Sequence, residues 1–120
     1  MRPRIRTLKP EIWADEEFGH LDPWARLLFI GLITMADDEG RLRAPAAAVL
    51  GHVFPYDDIA PKRLSGWLQA IEEANLIVQY EDGRTQYVAI TGWNAHQRIN
   101  RPTPSKLPAP SMNGNAQAHV

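Results

Sequence analysis

Residues 22–40 constrain this chain most, because they specify a helix with almost no polar side. Asp22 suits the N-cap, where a short carboxylate accepts from an unbonded backbone N–H, and Pro23 fits the first helical position. Trp24, Leu27, Leu28, Gly31, Leu32 and Met35 recur at helical spacing, while Phe29, Ile30 and Ile33 make the remaining surface apolar too. A helix apolar all round has to be surrounded, so a central helix is predicted up to about Met35. Asp37, Asp38, Glu39 and Gly40 end it, with Gly40 able to take the positive φ of a tight turn. This acidic run is read as a capped turn, since it lacks the alternating ligands and distal glutamate of a calcium loop.

The flanking segments supply what surrounds that helix. Residues 9–18 read as a short helical piece with Pro10 in its first turn, docked through Ile12, Trp13 and Phe18. Arg41, Leu42 and Arg43 alternate as in a very short strand. A second helix starts near Pro45, turns Val49, Leu50 and Val53 inward, and stops at Phe54, Pro55 and Tyr56. Ala60 precedes Pro61 and is biased away from helical dihedrals, so Pro61 opens a third helix. Its Leu64, Trp67, Leu68 and Ile71 lie at i, i+3, i+4 and i+7, and Asn75 serves as a left-handed cap. Residues 76–80 and 86–90 are β-rich runs around a polar loop, which predicts a hairpin.

Helix, short strand, helix, tight turn, helix and hairpin is the order of a winged helix-turn-helix, an α+β fold with a three-helix core and a β-hairpin wing. Three parts follow: a basic arm over residues 1–9, the winged-helix domain over 10–95, and a basic, proline-rich tail over 96–120, largely disordered. With no cysteine among 120 residues, neither a disulfide framework nor a thiolate zinc site holds the fold. No apolar run approaches a membrane span and no signal-like segment opens the chain, so a cytoplasmic protein is expected.

The net charge of −1 hides a strong asymmetry. Arg2, Arg4, Arg6 and Lys9 give the arm +4, and Arg98, Arg101 and Lys106 give the tail +3. Residues 11–95 hold all 14 acids against six bases, a net −8. An acidic body between basic tails touches phosphates through the tails and repels them elsewhere, unless the tails serve only solubility.

The stretches RIRTLKPEIW, LDPWARLLFIGLITMADDEGRL, FPYDD, LQAIEEANLI and GWNAHQRINRPTPSKLP cover most of residues 4–108. In them the chain resembles the amino-terminal winged-helix domain of bacteriophage replication-initiation and replisome-organiser proteins, relatives of the DnaD-like primosome proteins. The resemblance implies duplex DNA binding at replication initiation in a bacterial host, association with the nucleoid, and a helicase or its loader as a further partner. Regulation of phage or mobile-element transcription is the alternative within the same class. A winged-helix protein-interaction module is the alternative outside it, favoured by the acidic body.

Nine residues are the candidate DNA contacts. Lys62, Arg63, Gly66 and Gln69 share the outward face of the third helix, where arginine can read guanine, lysine pair with phosphate, glutamine read adenine and glycine remove bulk. Arg84 tips the wing, Arg4 and Arg6 alternate along the arm, and Arg98 and Arg101 form a patch with His96 and Gln97. A solvated face is the competing reading for each. The four histidines show no ligand spacing, and no phosphate loop, nucleophile elbow or carboxylate pair is present, so no metal, cofactor or catalysis is expected. No heptad seam decides between monomer and homodimer.

Overall fold

A computed structural model describes residues 3–110; Arg2 and residues 111–120, on which part of the arm and tail expectations fall, lie outside the described residues. Helix α2, Pro23–Met35, is the centre of the fold and buries Ala25, Leu28, Phe29, Leu32, Ile33 and Met35. The Asp22 carboxylate caps it by accepting from the Trp24 N–H at 2.7 Å. The helix is not wholly enclosed, however. Leu27 stays 53% exposed at the surface, and Trp24, at the margin where α2 meets α4, stays 37% exposed.

Helices α3, Ala46–Val53, and α4, Pro61–Glu73, pack on α2 and on each other. Gly31 explains its own place in an apolar helix: a Cβ there would lie 2.6 Å from Val53 Cγ2, so the glycine lets α2 and α3 approach closely. Helix α4 turns Leu64, Leu68 and Ile71 inward. Asn75 then takes φ +64°, the left-handed cap expected from the sequence.

Strands β1, Arg41–Arg43, β2, Ile77–Asp82, and β3, Thr85–Ile90, form one antiparallel sheet in the order β1-β3-β2. Leu42 faces Val88 in the core across the β1–β3 pair. The hairpin is tighter than expected. Asp82 pairs with Thr85, which leaves Gly83 and Arg84 as a two-residue turn, with Gly83 at φ +65°. Among the described residues the result is an α+β domain of five α-helices, one 3-10 turn and a small antiparallel sheet, and no helix is long and apolar enough to cross a membrane.

The termini depart most from expectation. Residues 9–18 are two pieces, a 3-10 turn at Pro10–Ala14 and helix α1 at Glu16–Gly19, because the Asp15 carboxylate accepts from Phe18 N–H and starts a second element. Phe18 is buried, but Trp13 is 62% exposed, its ring in an edge contact with the Phe18 ring. After helix α5, Trp93–His96, residues 97–110 do not leave the body but fold back along it. Their backbone lacks ladder partners and finds polar side chains instead. The Thr103 and Ser105 N–H groups donate to Asp38 and Glu39, and the Pro108 carbonyl accepts from the Tyr80 hydroxyl at 2.7 Å. Burial pushes that phenol up to about 12.

Candidate nucleic-acid interface

The outward face of α4 carries Lys62, Arg63, Gly66 and Gln69, all exposed, so the structure brings these four candidates together. Nothing lies within 4 Å of a Cβ added at Gly66, so no neighbour inside the protein requires the glycine, and its absent side chain flattens an open surface. The Gln69 amide donates to Glu73 Oε2 at 3.1 Å, one turn on. Lys62 makes no hydrogen bond, ion pair or ring contact among the described residues, while the Arg63 guanidinium lies over the rings of Trp24 and Trp67. Arg84 is exposed at the hairpin turn, a separate outpost from α4.

The arm is a different matter. Its extended backbone puts Arg4 and Arg6 on one side and leaves Ile5 fully exposed on the other. The sequence expectation used this two-residue period to track a DNA groove, whereas the fold uses it on Asp38. Arg6 donates to Asp38 Oδ1 at 3.0 Å and to the Ala36 carbonyl at 2.8 Å, stacks over Trp93 at 5.1 Å, and keeps only 6% of its side chain exposed. A guanidinium so enclosed cannot reach phosphate while the arm is docked, so Arg6 leaves the candidate set. Arg4 sits 3.4 Å from the same carboxylate but stays 48% exposed, and its backbone N–H donates to the Thr34 carbonyl.

Asp38 therefore joins both ends of the chain to the turn after α2. Besides Arg4 and Arg6 it accepts the Thr103 N–H at 2.9 Å, and its own carbonyl accepts from the Trp93 indole at 2.8 Å. The Thr103 N–H holds the carboxyl below its ordinary value of 3.8, with Arg6 and Arg4 acting the same way and burial opposing them. Asp37 accepts from Glu39 N–H, Arg41 N–H and the Ser105 hydroxyl, so the acidic run is a clasp as well as the expected capped turn. Sequence reasoning missed Asp38. Four arginines and lysines in an acid-free arm, set against three adjacent acids, were the available signal.

The carboxy-terminal patch is split in the same way. Gln97 is buried, and its side-chain amide accepts the Thr7 N–H at 3.0 Å and donates to the Thr7 carbonyl at 2.7 Å, as a strand partner would. Arg98 and Arg101 are exposed, Arg101 at φ +58°. Arg98 borders an open cleft of about 770 Å³ whose lining also includes Asp38 and Glu39, and Glu39 pairs there with Arg41 at 3.3 Å. Among the described residues no group of three or more histidine, aspartate or glutamate side chains is placed to hold a metal ion.

The chain matches no family model, no curated protein and no solved structure.

Proposed function

We propose that this chain is a winged-helix domain that binds double-stranded DNA with α4 in the major groove and the β2–β3 turn on the backbone. The observation that carries the reading is the outward face of α4. Lys62, Arg63, Gly66 and Gln69 lie exposed on a helix whose other face is fixed to α2 and α3, beside a hairpin that presents Arg84. The element order and the sheet order β1-β3-β2 suit that docking, in which a helix enters the groove and a wing flanks it. With Arg6 spent inside the fold, the electrostatic grip passes to Lys62, Arg63 and Arg84, and Arg43, Arg98, Arg101 and Lys106 are exposed elsewhere on the described surface. The reading is non-catalytic. The resemblance in the five sequence stretches supports replication initiation as its setting, with a helicase or loader as a further partner.

Titrating the labelled protein with a short duplex tests this residue by residue. The amide resonances of residues 61–69 and of Gly83 and Arg84 are expected to shift, and those of residues 4–7 to stay in place. Shifts confined to the arm, or none below a Kd of roughly 10⁻⁴ M at low salt, would contradict the reading.

A further inference from the structure

Three aromatic rings from three places in the fold meet beside Arg63. Trp24 and Trp67 are parallel, with 1° between planes and centroids 5.6 Å apart, and Phe54 tilts against both at 5.5 and 5.7 Å. The Arg63 guanidinium carbon stands 4.9 Å from the Trp67 centroid and 5.5 Å from that of Trp24. Trp67 follows Arg63 by one helical turn, but Trp24 comes from α2, so tertiary packing and not helix periodicity alone sets the arrangement. Phe54 is buried and anchors the pair from below.

An exposed arginine ordinarily samples many rotamers and surrenders them on binding. Held on two indole faces by cation–π attraction, Arg63 has given up much of that freedom already. Its side chain nevertheless donates no hydrogen bond among the described residues, so an oriented and exposed set of N–H donors remains unspent. Lys62, one residue away, is exposed with no such platform. A planar fork of donors matches a pair of acceptors, whereas a free ammonium acts as a point charge.

We propose that Trp24 and Trp67 are positioning residues that preset Arg63 as the base-reading group of α4, its ligand being the paired N7 and O6 acceptors of guanine in the major groove. Lys62 contributes phosphate attraction only. This inference rests on the DNA-binding reading above.

Selection from a random-sequence duplex pool tests it with wild type, Arg63→Lys, Trp24→Leu, Trp24→Phe and Lys62→Ala, each checked for folding by thermal melting. Wild type is expected to enrich guanine at one position. Arg63→Lys and Trp24→Leu weaken that preference roughly tenfold with an unchanged salt slope, since the charge is retained. Trp24→Phe restores most of it by replacing the ring face. Lys62→Ala keeps the preference but flattens the salt slope by about one contact. A folded Trp24→Leu that selects the same sequences as wild type overturns the positioning role and leaves DNA binding intact. Where Trp24→Leu does not fold, Arg63→Lys decides, and an unchanged guanine preference overturns the proposal. Wild type that binds without enriching guanine overturns the inference alone, and wild type that binds no duplex overturns both.

Discussion

Gly40→Ala is expected to destabilise the fold by about 2–5 kcal/mol. Gly40 sits at φ +82°, where a Cβ costs roughly 1–2 kcal/mol. The new carbon would also lie 2.8 Å from Trp93 Cγ and Cδ2 and 2.9 Å from its Cβ. Trp93 cannot step aside, since it is buried and its indole N–H is tied to the Asp38 carbonyl, so overpacking adds about 1–3 kcal/mol. The Gly40 carbonyl also accepts from Ile90 N–H at 2.8 Å, which couples the turn to the sheet. Gly83→Ala separates the two causes. Gly83 has φ +65° but open space around it, so its substitution should cost only the dihedral share, about 1–2 kcal/mol. Denaturant midpoints read both, and equal losses at the two glycines would show that the contact with Trp93 carries no weight.

Asp38→Ala is expected to cost about 3 kcal/mol and to loosen both ends of the chain. It strips the buried Arg6 of its counter-charge and leaves the Thr103 N–H without an acceptor. Hydrogen exchange should quicken at Arg4, Thr7 and Thr103 while the core of α2 stays protected. The same carboxylate links stability to pH. Its folded pKa lies below the ordinary 3.8, so the stability it contributes is complete above about that pH and is lost as pH falls through the folded value. Wild type should therefore lose stability more steeply than Asp38→Asn below pH 3.8, and matching acid limbs would show that the clasp does not titrate.

What the sequence revealed were features decided by neighbours in the chain. The Asp22 cap, the positive φ of Gly40 and Asn75, and the apolar spacing of α4 each follow from a few adjacent residues. What it concealed were partners far apart. Arg6 and Asp38 are 32 positions apart, Asp38 and Thr103 are 65, and Thr7 and Gln97 are 90. Charge counting leaves the arm between a phosphate surface and a solubilising tail, because it does not register one buried carboxylate that takes two of its arginines. The proline-rich tail read as disordered because its backbone bonds go to side chains of a distant turn, a pattern without periodicity. The exposed edge of α2 was hidden for the opposite reason. Leu27 looks like a core residue in any helical wheel, and only the arrangement of α3 and α4 leaves it outside.

The candidate site on α4 is legible in composition but not in arrangement. Lys62, Arg63, Gly66 and Gln69 follow from their spacing on one face. The support that Trp24 and Phe54 give to Arg63 required the packing of α2, α3 and α4 to appear.

Binding to duplex DNA, followed by fluorescence anisotropy across a salt series for wild type and the Lys62→Ala/Arg63→Ala variant, tests the account most directly. Log affinity should fall linearly with log salt for wild type, and the slope should be shallower in the variant by at least about 0.9, the value of the one phosphate contact at Lys62, with the rest of the lost affinity coming from the base contact of Arg63. Equal slopes for the two proteins, or wild-type affinity weaker than roughly 10⁻⁴ M at low salt, would contradict it.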